Sequence, residues 1–264
     1  MNIKNKIICG DCIDEMMNLP SNIIDLAFAD PPYNLKKDYG VYADSNSPTD
    51  YLKWTEKWLL EIIRLLKPKG SFYLLNLPKW TIHHAVFLDQ FLYRQNTIAW
   101  DALSTPRGKI MPAHYSLLYY TKSRQGYTFN QLTSKHDWIH CARSECIQKR
   151  NTSNLPEKPF SDIWTNIYRV KHRGKRHIDH PTQLPFKFME RIILTSSNEG
   201  ELVFDPFLGV GTTAIVAKVL KRDYLGIEIN PEYVQDSQKN LVQTSLSNLE
   251  FKNQQRILDL DNFL

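Results

Sequence analysis

Residues 24–33 have the sequence IDLAFADPPY, an apolar run that stops at an acidic residue and two prolines. A short run without helical periodicity that ends at proline is typical of a buried strand, because proline has no amide hydrogen for the sheet ladder. Asp30 and Tyr33 then lie just beyond the carboxyl end of this strand. Ligands of open α/β sheets bind at that end, so the segment predicts both a core strand and a site of chemistry.

Strands and helices alternate on both sides of this segment. The predicted strands are 71–76, 96–100, 115–121, 202–204 and 224–229, and the predicted helices are 50–66, 81–92, 185–196, 212–220 and one from about 231. This alternation predicts an α/β fold, in which a mostly parallel, Rossmann-like sheet has helices on both faces.

The composition is that of a water-soluble globular protein. The chain has 264 residues, and its four cysteines are too few for a disulfide framework in a protein of this size. No apolar run approaches the roughly 20 residues that a membrane-spanning helix needs. The first residues do not resemble a signal peptide. A cytoplasmic location without membrane association is therefore expected.

Positive charge is concentrated in the segment 127–180. It contains ten Lys or Arg and five Asp or Glu, which equals the whole net charge of +5. The overlapping region 123–178 lacks the alternation of strands and helices and is predicted to be an insert. Its basic run, with Lys171, Arg173, Lys175 and Arg176, fits contact with nucleic-acid phosphates, and the alternative is a solvated loop.

A glycine-rich turn, DPFLGVGTTA at 205–214, separates a predicted strand from a predicted helix. Glycines allow close approach of the backbone to a ligand, and Glu228 ends the next strand, where an acid can bind a ribose. The pattern favours a cofactor that contains a nucleoside. It also fits a dinucleotide oxidoreductase or a tight turn without a ligand.

Asp30-Pro31-Pro32-Tyr33 suits an amino group on a planar base. The Asp30 carboxylate and the Pro31 carbonyl can accept the two amine hydrogens, while Tyr33 can stack on the ring. The alternative is a proline-ended strand followed by a half-buried tyrosine.

Together these motifs resemble the DNA amino-methyltransferases, in which a D-P-P-Y tetrad and a D-P-F-x-G-x-G-T turn share one sheet. The tetrad comes first here, as in the circularly permuted β group. His180-Pro181-Thr182-Gln183-Leu184-Pro185 and Gly10-Asp11-Cys12 resemble further motifs of that group. The resemblance covers most of the chain except the insert and the tail, and it implies a seven-stranded methyltransferase-type sheet.

The resemblance implies a DNA methyltransferase that flips an adenine out of double-stranded DNA and methylates its N6 amine. Asp30 favours adenine, because serine at this position commonly marks cytosine enzymes, and cytosine N4 is the alternative target. The implied catalytic residues are Asp30, Pro31, Pro32 and Tyr33. The implied S-adenosylmethionine contacts are Asp11, Cys12, Asp30, His180, Thr182, Gln183, Asp205, Phe207, Gly209, Gly211, Thr212, Thr213 and Glu228. Leu184 departs from the family, which frequently has lysine there.

The predicted organisation has four parts: a catalytic half at 1–122, a target-recognition insert at 123–178, a cofactor-binding half at 179–245 and a tail at 246–264. A restriction-modification or epigenetic role fits this activity, with a restriction endonuclease as a compatible partner and a monomer or homodimer as the assembly. A non-catalytic DNA-binding regulator on this fold is the rival from another class. RNA and protein amines are alternative substrates.

Two cysteine groups suggest other chemistry. Cys9 and Cys12 have the C-x-x-C spacing of redox and zinc sites, and His136, His140, Cys141 and Cys146 are zinc-ligand types. No second C-x-x-C pair follows the first, and the insert cluster matches no strong zinc pattern. We therefore expect no metal.

Overall fold

The computed structural model describes residues 3–35, 45–101, 113–134, 158–167 and 184–246. In these ranges the strands are β1 (Lys6–Cys9), β2 (Ile24–Ala29), β3 (Leu66–Asn76), β4 (Tyr93–Asp101), β5 (His114–Thr121), β6 (Thr133–Ser134), β7 (Lys158–Pro159), β8 (Ile163–Trp164), β9 (Leu202–Asp205) and β10 (Asp223–Glu228). The helices are α1 (Cys12–Met17), α2 (Pro48–Leu65), α3 (Pro78–Leu88), α4 (Phe186–Ser196), α5 (Thr212–Val219) and α6 (Pro231–Leu246). None of the helices described is long and apolar enough to cross a membrane.

The main sheet has the strand order β1-β10-β9-β2-β3-β5-β4-β8. The pairs from β1 through to β3 are parallel, as is β4 with β8, whereas β5 is antiparallel to both β3 and β4. The mostly parallel α/β fold is therefore confirmed. Strands from the two ends of the sequence are interleaved, because β9 and β10 lie between β1 and β2.

Helices cover both faces of this sheet, as the alternation of side chains along β2 requires. Ala27 and Ala29 face a core formed with α1, α2 and α3. Leu26 and Phe28 face a second core formed with α4 and α5. A strand that is buried on both faces is apolar on both faces, which is why residues 26–29 are all apolar.

The junction between α2 and β3 differs from the prediction. The sequence predicts a helix that ends at residue 66 and a strand that begins at residue 71, but the strand already begins at Leu66, which is paired with Ile24. The next pair is Leu26 with Ser71, so β3 contains extra residues at this point. Lys67 stabilises the irregularity, because its Nζ lies 2.7 Å from Asp25 Oδ2.

The described parts of the predicted insert, 123–134 and 158–167, pack on the main domain. Strand β8 extends the sheet beside β4. On α4, the buried Arg191 guanidinium lies 3.8 Å from the Phe160 ring centroid and 4.7 Å from that of Trp164. The four-part organisation and the target-recognition role stay predictions.

Candidate active site

Four neighbouring parallel strands place acidic side chains along one edge of the sheet. Asp11 follows β1 after one residue, Glu228 ends β10, Asp205 ends β9 and Asp30 follows β2 directly. The spatial strand order gives the sequence Asp11, Glu228, Asp205, Asp30 across the edge. A concentrated negative charge at the carboxyl ends of strands suits a ligand that carries positive charge.

Asp205 organises the glycine-rich turn. Its Oδ2 accepts a hydrogen bond from Thr213 Oγ1 at 2.5 Å, and its Oδ1 accepts one from the backbone amide of Phe207 at 2.9 Å. The carboxylate thus joins the start of the turn to the start of α5. Gly211 adopts φ +93°, and a Cβ there would lie 2.8 Å from Ser237 Cβ on α6. Both its conformation and its close packing therefore require glycine.

Glu228 links this turn to the end of β10. Its Oε2 accepts a hydrogen bond from the Gly209 amide at 2.7 Å and its Oε1 accepts one from the Asn230 amide at 2.9 Å. Burial raises the pKa of Glu228. The ribose contact expected of Glu228 stays a prediction, because the bonds in the structure are to backbone amides.

Asp11 and Cys12 lie beside Glu228 at the start of α1. Asp11 caps this helix, because its Oδ1 accepts hydrogen bonds from the amides of Ile13 at 2.8 Å and Asp14 at 3.3 Å. The Gly10 amide donates to the Glu228 carbonyl at 3.0 Å, which connects the two strand ends. Burial, followed by the charge of Asp11, raises the pKa of the Cys12 thiol. A thiol that resists ionisation is a poor redox nucleophile or zinc ligand.

The electrostatics of Asp205 are the clearest sign of a ligand site. Burial, assisted by the charges of Asp30 and Glu228, raises the pKa of Asp205 to about 7. The carboxylate is therefore costly to ionise without a neighbouring cation. Perturbed carboxyl groups that converge in this way are typical of functional sites.

A hydrogen bond joins the first and last residues of the predicted catalytic tetrad. The Tyr33 hydroxyl donates a hydrogen bond to Asp30 Oδ1. Tyr33 is buried, and its ring centroid lies 5.7 Å from that of Tyr115 on β5. Since β2 pairs with β9, the tetrad lies one strand away from the glycine-rich turn. The structure thus brings together the two motifs that lie more than 170 residues apart in the sequence.

Three residues of this site were missed by the sequence analysis. Tyr51, Asn76 and Trp80 are buried behind the tetrad, where they form hydrogen bonds with its backbone or with one another. One signal was available for Asn76, because it is a polar residue at the carboxyl end of a buried strand next to β2. Tyr51 and Trp80 resemble ordinary core aromatics in the sequence.

Several predicted site residues lie outside the described residues. These are His180, Thr182 and Gln183 at the cofactor site, Lys171, Arg173, Lys175 and Arg176 at the DNA site, and the candidate zinc ligands His136, His140, Cys141 and Cys146. Leu184 is described, and it is partly buried against the core beneath α4. Within the described ranges, no group of three or more His, Cys, Asp or Glu could hold a metal ion.

The sheet order, the glycine-rich turn and the adjacent tetrad define a methyltransferase-type domain. Residues 24–239 match the DNA methylase family of N6 and N4 methyltransferases, and the chain belongs to this family. The sequence is 39% identical over 243 residues to Type II methyltransferase M.BamHI of Bacillus amyloliquefaciens, covering 89% of this chain and 57% of that protein. It is 37% identical to Type II methyltransferase M.HpaI of Haemophilus parainfluenzae, covering 89% and 74%.

A third relative is DNA adenine methyltransferase YhdJ of Escherichia coli (strain K12), at 32% identity over 86% of this chain and 79% of that protein. Among solved structures, the fold resembles PvuII DNA methyltransferase (cytosine-N4-specific), with a TM-score of 0.67 at 18% identity, covering 90% of this chain and 86% of that one. It also resembles the M1.HpyAVI-SAM complex, with a TM-score of 0.60 at 23% identity, covering 89% and 98%. The described fold is therefore that of DNA methyltransferases.

Proposed function

We propose that this chain transfers the methyl group of S-adenosylmethionine to the N6 amine of adenine in double-stranded DNA. The observation that carries the proposal is the adjacency of Asp30 and Asp205, which end neighbouring strands closely enough for the charge of Asp30 to raise the pKa of Asp205. An amine held at Asp30 is therefore next to the proposed cofactor site. The names of M.BamHI and M.HpaI as Type II methyltransferases support methyl transfer, and the name of YhdJ as a DNA adenine methyltransferase supports adenine as the target.

The donor set fits S-adenosylmethionine, which has a sulfonium, an ammonium and a ribose. Asp205 and the turn at 207–213 would hold its methionine part, Glu228 its ribose, and Asp11 with Cys12 its adenine. When bound, the cofactor supplies an electrophilic methyl group. The acidic edge suits the two cationic groups, because a cation beside Asp205 would offset the cost of ionising that buried carboxyl group.

The tetrad orients the amine and leaves its lone pair available for attack. Asp30 accepts one amine hydrogen and the Pro31 carbonyl accepts the other, which directs the nitrogen lone pair toward the neighbouring strand. The Tyr33 hydroxyl donates to Asp30 Oδ1, so it fixes the rotamer of that carboxylate. The amine would form its bond to the methyl carbon as the bond from that carbon to the sulfonium breaks, and the amine would then release one proton. No covalent enzyme nucleophile is required.

The N4 amine of cytosine is the second candidate, since the same pair of acceptors can bind either amine. Adenine is favoured by the aspartate at the first tetrad position, and YhdJ is named an adenine enzyme. Incubation with labelled S-adenosylmethionine and mixed-sequence DNA, followed by digestion to nucleosides, distinguishes the two. We expect labelled N6-methyladenine. Labelled N4-methylcytosine would refute the choice of base, and an absence of labelled DNA would refute the activity.

Asp30→Ala tests the tetrad itself. We expect it to abolish methyl transfer and to leave cofactor binding largely intact, because Asp30 contacts the amine rather than the bulk of the cofactor. Asp223→Ala is the matched control, since this acid begins β10 at the opposite edge of the sheet. An Asp30→Ala enzyme with near-normal turnover would contradict the proposed role.

Binding of DNA phosphates is proposed for the basic run in the insert. Replacing Arg173 and Arg176 by alanine should weaken DNA binding and reduce the slope of log K against log salt by about 1.8, because each lost phosphate contact removes about 0.9. Unchanged affinity and slope would show that the run does not contact DNA. A restriction endonuclease partner, a cytoplasmic location and a monomeric or homodimeric state are proposed with this function.

A further inference from the structure

Three buried side chains outside the tetrad hold its backbone. Tyr51, in the first turn of α2, donates from its hydroxyl to the Pro32 carbonyl at 2.8 Å. Trp80, on α3, donates from Nε1 to the Tyr33 carbonyl at 2.9 Å. Asn76, which ends β3, donates from Nδ2 to the Tyr51 hydroxyl at 2.9 Å. The carbonyls of Pro32 and Tyr33, two successive residues of the tetrad, are thus each held by a hydrogen bond from a buried side chain.

The direction of these bonds follows from the Asn76 amide. Its Oδ1 accepts a hydrogen bond from the Leu77 amide at 2.7 Å, which leaves Nδ2 to face Tyr51. An amide nitrogen can only donate, so the Tyr51 oxygen accepts there, and its single proton is directed to the Pro32 carbonyl. Tyr51 and Asn76 are fully buried, so water does not compete for these bonds.

The hydrogen bond from Tyr51 to the Pro32 carbonyl sets the direction of the preceding carbonyl, that of Pro31. The ring of Pro32 fixes its φ angle. Tyr51 fixes its ψ angle by holding the Pro32 carbonyl. With both angles set, the peptide plane that carries the Pro31 oxygen has one orientation relative to the sheet. The ring centroids of Tyr51 and Trp80 lie 4.6 Å apart, so the two donors also support each other.

We infer that Tyr51, oriented by Asn76, is a positioning residue for methyl transfer. It acts through Pro32 to aim the Pro31 carbonyl at the substrate amine, and Trp80 holds the next peptide in the same way. The inference rests on the proposed function, since it assigns the Pro31 oxygen as an acceptor for the amine. It predicts a loss of turnover without a loss of substrate or cofactor binding, because none of the three residues needs to touch a ligand.

Tyr51→Phe is the test, because it removes one oxygen and leaves the ring in place. We expect kcat for DNA methylation to fall about 10-fold to 100-fold, as for a misplacement of up to 1 Å. The KM for DNA and the Kd for S-adenosylmethionine should stay within about twofold of the wild type, since the only contact that changes is the aim of the Pro31 carbonyl, and the other contacts with DNA and cofactor are untouched.

Tyr73→Phe is the matched control. Tyr73 is also buried, and its hydroxyl is hydrogen-bonded to that of Ser196 at 2.8 Å, in the core on the other face of the sheet. Both variants lose one buried hydroxyl, so their melting temperatures should fall by similar amounts, but only Tyr51→Phe should lose turnover. Trp80→Phe, which removes the donor to the Tyr33 carbonyl, should lower kcat in the same direction and decides the question if Tyr51→Phe does not fold.

Three results would overturn the inference. The first is a kcat for Tyr51→Phe within about twofold of the wild type, the second is an equal loss of kcat in Tyr73→Phe, and the third is a rise in KM alone. These results leave the proposed function in place, because the wild type remains active. A wild type that transfers no methyl group to DNA would overturn the proposed function and this inference with it.

Discussion

Replacement of Asp205 by asparagine should make the cofactor-free protein more stable and the cofactor-binding site much weaker. The asparagine can keep both hydrogen bonds of the turn, since its oxygen can accept from the Phe207 amide and its nitrogen can donate to Thr213 Oγ1. The substitution therefore removes the charge with little change in the packing of the turn. The substitution therefore allows the effect of the buried charge on stability to be measured separately from its effect on cofactor binding.

The size of the effect follows from the pKa of Asp205, which burial raises from 3.8 to about 7. The pKa of Asp205 in the folded state lies above its unfolded value. The protonated carboxyl group therefore makes its full contribution to stability below pH 3.8, and this contribution is lost as the pH rises through about 7. At about 1.4 kcal/mol per pKa unit, the full difference is about 4 kcal/mol. Asp205→Asn should thus exceed the wild type by about 2–4 kcal/mol at pH 8 and match it near pH 4.

Urea unfolding of both proteins between pH 4.5 and 8 measures this difference. Asp223→Asn is the control with the opposite sign, because Lys4 lowers the pKa of Asp223 and the partly exposed pair contributes below about 1 kcal/mol. At pH 8, calorimetry should show that Asp205→Asn binds S-adenosylmethionine about 10-fold to 100-fold more weakly, since a hydrogen bond to a charged group is lost. Equal stability of both proteins at all pH values, or unchanged cofactor affinity, would refute the reasoning.

Two further substitutions test the fold around the site. Gly211→Ala should destabilise the protein by about 2–4 kcal/mol in urea unfolding, because it adds strain at φ +93° and a contact of 2.8 Å with Ser237. Gly200→Ala, at φ +80° with no atom within 4 Å of the new Cβ, should cost only about 1–2 kcal/mol, and equal losses would contradict the packing argument. Burial lowers the pKa of His84 to about 3, below its unfolded value of 6.5, so stability is lost as the pH falls below 6.5, by up to about 1.4 kcal/mol per pH unit. His84→Leu should remove this part of the pH dependence, and parallel curves for the two proteins would show that His84 is not its source.

The sequence was sufficient to predict the alternating elements and the main motifs of the site. The strand 24–29 is buried on both faces, so its apolar residues were enough to predict it. The boundaries of some elements differ from the prediction. The predicted helix 81–92 is Pro78–Leu88 in the structure, because proline occupies its first turn and the chain turns at residues 89–91. Proline is common at the first position of a helix, but the prediction was based on hydrophobic periodicity alone and did not take this residue into account.

The positioning residues could not be predicted in the same way. Tyr51 lies 19 residues from Pro32, and their contact depends on how α2 packs on the sheet rather than on local spacing. An aromatic residue with an apolar environment on a helix predicts a core position, which Tyr51 also occupies. Its second role depends on the direction of a single hydroxyl proton, and only the position of the Asn76 amide settles that direction.

The interleaved strand order has a consequence for how the chain folds during synthesis. When residues 1–200 have been made, β1 lacks its neighbour among the described strands and β2 lacks one of its two, because their partners β10 and β9 come later. The space between β1 and β2 spans three strand spacings, or about 14 Å. A nascent chain therefore has exposed sheet edges, which favour aggregation and require protection until the last strands insert. Asp205 and Glu228 arrive with those strands, so the acidic edge of the candidate site is complete only after β9 and β10 have been synthesised.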